Sequence, residues 1–452
     1  MMGPMASEET RAVPTRTATP PAGGGTAGVP RPQETEPGAH RPRAWATRLV
    51  VVGIVLSALN LRPAITSLGA LLEEVRDGLG MSGGVAGLLT SVPPLCFAVF
   101  GVAAPRLARR FGPAAVVCAG MAAITAGLLV RPYVGGTAGF LAASALALMG
   151  IAVSNVLMPV IVKRWFPDKV GSMTGLYSMA LALGTSVAAA VTVPLTDALG
   201  GGWRDGLAVW AALAAAAVLP WLPLVRDRGT AGPREPERDR GTARETERER
   251  GAAPQQAPLR ITRSRTAWAL AAFFGLQATA AYVTMGWMPQ IFRDAGVPAG
   301  TAGVLLAVTM VMGVPLAFVI PRVATRLPHQ GPIVLVLGVC GLAGYAGLYL
   351  APAGGAWAWA LLLGVSNCAF PLALTMVGMR ARSGPGVAQL SAFAQSTGYL
   401  ISIPGPLLVG VLYQRSGGWG LPIALMAALM VPQMAVGFLA GRDRTVEDEA
   451  TR

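Results

Sequence analysis

Apolar residues fall into twelve long runs along this chain, separated by shorter polar stretches. A helix needs about 20 apolar residues to cross the hydrocarbon core of a bilayer, and every run is long enough to do so. The pattern therefore predicts twelve transmembrane helices, called spans one to twelve: 48–72, 83–104, 114–133, 138–162, 171–195, 205–224, 266–289, 301–321, 332–351, 356–379, 387–412 and 419–440.

Polar segments divide these spans into two groups of six. Residues 1–47 are rich in Pro, Gly, Thr and charge, which predicts a disordered tail. Residues 225–265 alternate Arg with Glu and predict a flexible charged linker, with a regulatory or lipid-surface role left open. We therefore expect six-helix bundles at 48–224 and 266–440, followed by a second tail at 441–452.

Composition agrees with this pattern. The chain is 53% hydrophobic and only 13% charged, whereas soluble domains average about 25% charged residues. The sequence thus predicts an all-α, polytopic membrane protein. Its net charge of +14 comes from arginines in loops and tails, so nucleic acid is not an expected partner. No nucleotide-binding loop occurs, and no cofactor or metal site is expected.

The distribution of basic residues predicts the orientation. With the N-terminus in the cytoplasm, the short cytoplasmic loops carry twice as many basic residues as the external loops, as the positive-inside rule requires. We expect both termini in the cytoplasm of a cell that holds the protein in its inner or plasma membrane. The two loop sets are Arg106, Arg109, Arg110, Lys163, Arg164, Lys169, Arg322, Arg326, Arg380 and Arg382 inside, and Arg76, Arg131, Arg204, Arg293 and Arg415 outside.

Arg62 lies within span one, followed by Pro63. A cation at the bilayer centre costs roughly 2.5–3.5 kcal/mol on insertion scales, so such residues usually face a cavity and have a function. No Asp or Glu lies in the interior of any apolar run to neutralise it. The planar guanidinium suits a carboxylate-like or otherwise planar acceptor. The alternative is a structural role, in which Arg62 bridges helix-end carbonyls.

Spans four and ten repeat a short polar pattern. Ser154-Asn155 precedes Pro159 by a fixed spacing that recurs in Ser366-Asn367 and Pro371, which supports duplication of a six-span unit. Parallel six-span repeats that rock about a central site are a transporter architecture.

Further polar side chains lie within the apolar runs. Each is a candidate for lining a cavity or, alternatively, for bonding between helices. Trp287, at the outer end of span seven, is predicted to anchor at the membrane interface, and Arg131 to reach water from the end of span three. The cavity candidates besides Arg62 are Asn60, Asn155, Tyr177, Gln277, Tyr282, Asn367, Gln395 and Tyr399.

Several strings resemble the major facilitator superfamily, and within it the branch of cyanate permeases and 2-nitroimidazole transporters. They are NLRPAIT at 60–66, KRWFPDK at 163–169, GLYS at 175–178 and WMP at 287–289. The resemblance covers about 48–440, apart from the linker. It implies a cavity between the bundles, surrounded by spans one, four, seven and ten.

The loop at 101–110 resembles the gating loop of that superfamily, with two departures. Pro105 stands in place of the usual acidic residue and Ala108 in place of the second glycine. Arg106, Arg109 and Arg110 could still clamp helix ends, because cations favour helix C-termini. They could equally serve only to set topology.

The sequence therefore predicts a transporter, not an enzyme, that works as a monomeric unit in the lipid bilayer. Its expected substrate is a small, planar, anionic or strongly polar solute, cyanate-like by resemblance; efflux of small planar drugs such as nitroimidazoles is the alternative. An intramembrane lipid enzyme would need a nucleophile, an acid–base pair or a metal set, and a membrane sensor would need an output domain. The sequence offers neither.

Overall fold

The fold is all-helical. A computed structural model describes residues 44–226 and 261–450, and these ranges contain no strand. The first tail up to residue 43, and nearly all of the predicted linker at 225–265, lie outside the described residues. Within the described ranges, eleven helices, some of them interrupted, are long and apolar enough to cross a membrane.

The first half of the chain contains ten α-helices within the described residues. Their bounds are Ala44–Asn60, Pro63–Ala70, Leu72–Leu79, Gly83–Phe111, Pro113–Val130, Thr137–Trp165, Val170–Ala198, Trp203–Ala208, Trp210–Val218 and Trp221–Arg226. The described part of the second half contains Arg265–Asp294, Ala299–Val311, Gly313–Ala324, Gly331–Leu350, Ala356–Asn367, Ala369–Met379, Gly384–Ser402, Pro404–Ser416, Gly420–Ala440 and Val446–Ala450.

Span six is built differently from the other spans. Three short helices replace one long helix between Trp203 and Arg226. The residues that flank the middle helix keep right-handed helical backbone angles, for example φ −58° and ψ −30° at Val209, so the chain continues in one direction. Trp221 Nε1 donates to Ser57 Oγ (2.9 Å) and fixes this rod against span one. At 1.5 Å per residue the rod is about 36 Å long, enough to cross the bilayer.

Span one is interrupted at Arg62. One helix ends at Asn60 and the next begins at Pro63. Proline lacks the N–H that a continuous helix would use, but it fits the first position of a new helix. This interruption places Arg62 at a helix junction. Broken helices are typical of substrate sites in transporters.

The repeated Ser-Asn pair occupies matching places in the two halves. A Cβ on Gly120 of span three would lie 2.5 Å from Ser154 Oγ, and a Cβ on Gly341 of span nine would lie 2.5 Å from Ser366 Oγ. Each serine therefore packs against a glycine of the preceding span. This shared packing supports the duplication that the sequence predicts.

The helices have two distinct ends. We call the end formed by 72–79, 293–294 and 413–419 the far end. We call the end formed by 264–266, 380–383 and 440–449 the tail end. Large apolar side chains such as Val336, Val339 and Leu350 are exposed between these ends, which suits contact with lipid.

Candidate functional site

Arg62 is surrounded by tyrosines from three other spans. Tyr282, Tyr399 and Tyr177 lie close enough to the guanidinium to interact with it electrostatically, and Tyr282 is also within hydrogen-bonding reach. The Tyr282 hydroxyl nevertheless forms no well-aligned hydrogen bond. Arg62 is enclosed by protein but keeps part of its surface accessible, as a side chain facing a cavity does. The fold thus gathers four sequence-predicted residues from spans one, five, seven and eleven.

No carboxylate of the described residues pairs with this cation. The ion pairs of the described residues involve Arg293, Arg380 and Arg382, and none includes Arg62. The phenol hydroxyls around it are neutral groups that can donate or accept hydrogen bonds. Such a setting favours an anion, or a ligand with an acceptor-rich end, as the partner of Arg62.

Asn155 and Tyr177 form a second polar pair beside this cluster. The Tyr177 hydroxyl donates to Asn155 Oδ1, which joins span four to span five. Both side chains keep accessible surface. The bond fixes the tyrosine ring in the group around Arg62.

Two predicted amides have unused polar atoms. Gln277 is buried and its Oε1 has no hydrogen-bond partner, and the same holds for Nδ2 of the half-buried Asn367. A buried polar atom without a partner is costly, so each marks a place for water or a ligand. Gln395 differs, because its Nε2 already donates to Ser391 Oγ (2.8 Å).

An aromatic wall lies on one side of the tyrosine group. The Tyr399 ring stacks on Phe97 with centroids 5.0 Å apart, and meets Phe274 edge-on at 5.2 Å. These rings come from spans eleven, two and seven. All three rings are buried, and Tyr399 is the one among them that interacts with Arg62.

The hydrogen bonds of Asn60 do not connect it to the group of tyrosines around Arg62. Its Nδ2 donates to Leu56 O (2.8 Å) and to Leu213 O (3.1 Å), so it ties span one to span six. This is the interhelical alternative that the sequence leaves open. The predicted loop at 101–110 is wrong: this segment is the last part of the helix Gly83–Phe111. Arg106, Arg109 and Arg110 are all exposed on it, and Arg110 lies over the Phe111 ring.

Two sequence predictions are wrong. Arg131 does not reach water: it is 1% exposed, and it donates to Ala64 O (3.0 Å) and Ser67 Oγ (3.4 Å). Trp287 is not an interface anchor, because it is fully buried and its Nε1 donates to Thr90 Oγ1 (3.2 Å) of span two. Both side chains turn inward at the ends of apolar runs, where sequence pattern does not define direction.

The two halves of the chain meet tightly on the far side of Arg62. Arg293 pairs with Glu73 (2.8 Å) and Glu74 (2.9 Å) at the far end. Below these pairs, a Cβ on Gly69 would lie 2.1 Å from Met285 O, and a Cβ on Gly87 would lie 2.8 Å from Leu407 O. Glycine lets the helices approach this closely. The far end is therefore closed by ion pairs and by backbone contact.

Comparison with known proteins agrees with this architecture. Residues 50–384 match the family model described as Major Facilitator Superfamily. The chain belongs to the Major Facilitator Superfamily. It is 32% identical over 406 residues to the 2-nitroimidazole transporter of Escherichia coli (strain K12), covering 88% of this chain and 96% of that protein. It is 29% identical over 385 residues to the cyanate transport protein CynX of the same strain, covering 85% and 94%.

Another relative is the uncharacterized transporter YycB of Bacillus subtilis (strain 168), with 35% identity over 402 residues, covering 88% of this chain and 94% of that protein. Among solved structures, the nucleoside transporter NupG superposes with a TM-score of 0.65 at 15% identity, covering 86% of this chain and 98% of that one. The inward-open xylose transporter XylE from E. coli gives 0.68 at 11% identity, covering 90% and 99%. At these identities the likeness shows the fold. The protein is thus a multi-pass membrane transporter whose family carries small molecules.

Proposed function

We propose that this protein transports a small planar solute, anionic or strongly polar, by alternating access around Arg62. The observation that carries the proposal is the unpaired guanidinium among Tyr177, Tyr282 and Tyr399, with no carboxylate partner in the described residues. Arg62 binds the anionic or acceptor end of the solute. The tyrosine hydroxyls and the unpartnered amides Gln277 and Asn367 bind its remaining polar atoms.

Cyanate-like anions are the first candidate substrate. A guanidinium offers several N–H donors in one plane and stays charged at any physiological pH, so it can replace the hydration of a small anion. The relative named as a cyanate transport protein supports this choice.

A small planar drug of the nitroimidazole kind is the second candidate. A nitro group presents two coplanar oxygens, which match the fork of Arg62. The phenol rings around Arg62 suit contact with a flat heterocycle. The relative named as a 2-nitroimidazole transporter supports this alternative.

We further propose that both termini are cytoplasmic in the cell membrane, in accord with the loop charges. The far end would then face outside, and the described conformation would be closed to the outside. A reporter active only outside the cytoplasm, fused after Arg452, should be silent; activity there would overturn this orientation.

Purified protein in liposomes tests the substrate. We expect saturable flux of cyanate, or in the alternative of 2-nitroimidazole, that Arg62→Ala greatly lowers at low solute concentration. Arg415→Ala is the matched control, since it removes an exposed arginine at the far end and should leave flux unchanged. Equal flux in the wild type and in a well-folded Arg62→Ala variant would place the substrate site elsewhere.

A further inference from the structure

Arg131 is a second buried cation, separate from the Arg62 group in sequence and span. Its side chain is 1% exposed, at the end of the helix Pro113–Val130. It donates to two neutral acceptors, Ala64 O and Ser67 Oγ, while its Nε has no partner. The ion pairs formed within 44–226 and 261–450 do not include it. A buried charge with only neutral partners is poorly compensated.

Arg131 lines a small cavity. Its volume is about 20 Å³, enough for a water-sized group. Ser144 of span four and Tyr282 of span seven also line it. Both side chains are at least nine-tenths buried, and the hydroxyl of each lacks a hydrogen-bond partner. Three unpartnered polar atoms, on Arg131, Ser144 and Tyr282, thus belong to residues that line one cavity.

Tyr282 connects this cavity to the site described above. The same residue interacts with Arg62 and lines the cavity beside Arg131. Tyr282 thus interacts with one arginine and lines a cavity together with the other. A small anion that moves from Arg131 to Arg62 would pass the Tyr282 hydroxyl, which can donate a hydrogen bond to it on the way.

The cavity is enclosed by both halves of the chain. Tyr282 and Gly286 come from the second half, and the other lining residues, including Gly69 and Thr90, come from the first. A Cβ on Gly286 would lie 2.7 Å from Thr90 Cγ2, so the two halves are in close contact here. If the halves separate at the far end, Tyr282 and Gly286 withdraw and expose the Arg131 side of the cavity.

We propose that Arg131, Ser144 and Tyr282 form a second anion site, on the far side of the Arg62 site, for one small inorganic anion of cyanate size. In this conformation the site is nearly shut and holds at most a water-sized part of such an anion. It binds the anion when the far end opens and passes it by Tyr282 to Arg62. This step rests on the proposed alternating-access function.

Titration calorimetry with cyanate, at neutral pH in detergent, tests the stoichiometry. We expect two anions per wild-type chain, one in Arg62→Ala and one in Arg131→Gln. Ser144→Ala removes one hydroxyl and should weaken the second site about fivefold, as the loss of one hydrogen bond predicts. This milder variant keeps the test valid if Arg131→Gln does not fold.

Crystals soaked with selenocyanate locate the anions by the anomalous signal of selenium. In crystals with the far end open, we expect a peak beside Arg131 in the wild type and in Arg62→Ala. The second site would be overturned if the selenium peak lay only at Arg62, or if one anion bound and Arg131→Gln and Ser144→Ala did not change its binding. Either result would leave the proposed function intact. A single anion lost in both arginine variants would also overturn it. No anion bound to the wild type would overturn both.

Discussion

At the scale of single residues, Arg62 should govern affinity. Arg62→Ala removes a desolvated charge, so we expect it to insert and fold but to lose about 10- to 100-fold in substrate affinity, the range for hydrogen bonds to a charged group. Arg62→Lys should recover little, because an ammonium lacks the planar fork. Equilibrium binding of the transported solute measures both. Normal affinity in a folded Arg62→Ala protein would remove Arg62 from the site.

The sequence identifies Arg62 because a cation in the middle of a long apolar run cannot reach water and must face a cavity or a polar partner. It does not identify Arg131, which stands at the end of a run. There a long side chain can turn outward to water or inward to Ala64 and Ser67, and the sequence pattern is the same for both. Polarity alone makes Gln277 and Asn367 candidates; their unpartnered atoms are visible only in three dimensions.

At the scale of elements, the short helix Val446–Ala450 fastens two spans at the tail end. Glu449 accepts from Ser264 Oγ (2.6 Å) and Thr266 Oγ1 (2.8 Å) at the start of span seven. Glu447 accepts from the N–H groups of Arg382 and Ser383 before span eleven. Each carboxylate thus acts as a cap for a helix N-terminus.

This arrangement predicts an acid-sensitive contact. Burial raises the pKa of Glu449, but hydrogen bonds from Ser264 and Thr266 outweigh it and hold the pKa below its usual value of 4.5; Glu447 behaves alike through Arg382 and Ser383. A lowered pKa in the folded state stabilises the protein above about pH 4.5, and this contribution is lost as pH falls further.

We expect Glu449→Gln to lower stability at pH 7 by about 1 kcal/mol, the usual size of a cap. The difference from the wild type should shrink as pH drops below about 4.5, where the wild-type carboxylate loses its charge. Thermal unfolding in detergent at several pH values measures it, with exposed Asp168→Asn as the control. A pH-independent difference would show that the carboxylate charge plays no part.

The tail helix also marks a limit of sequence pattern at this scale. Its five residues are too few to show a helical periodicity. Its contacts with spans seven and eleven are visible only in three dimensions. The long spans are predicted well because length and hydrophobicity suffice. The division of span six into three helices escapes prediction, since the run at 205–224 looks continuous.

At the scale of the whole molecule, the pairs of Arg293 with Glu73 and Glu74 hold the far end closed. Arg293→Gln should raise the ratio of far-end-open to far-end-closed molecules about fivefold. This assumes that the partly exposed ion pairs contribute about 1 kcal/mol to the closed state. Distances between spin labels at positions Ala138 and Arg415, measured by pulsed electron paramagnetic resonance, report the opening. Arg204→Gln is the control, because Arg204 bonds Pro132 O within its own half. An unchanged distance distribution would mean that backbone contacts alone close this end.

The affinity of the protein for its substrate should also be insensitive to pH. Apart from Asp205 at the edge of span six, no Asp, Glu or His lies within a predicted span, and Arg62 does not deprotonate near neutral pH. For a ligand that does not itself titrate, affinity between about pH 5.5 and 8.5 should therefore stay constant. A change of about tenfold per pH unit would reveal a proton site in the protein and favour proton-driven efflux.

The cationic cavity without carboxylates has an electrical consequence. If a monovalent anion crosses alone, each transport event moves one net charge through the membrane. An inside-negative voltage of about 100 mV acts on that charge with about 2.3 kcal/mol, which equals roughly a 50-fold concentration ratio. That voltage drives the anion out of the cell. Without an external excess above that ratio, uptake would require exchange for another anion or a proton carried by the substrate, so the missing carboxylates make export the direction that needs no second solute.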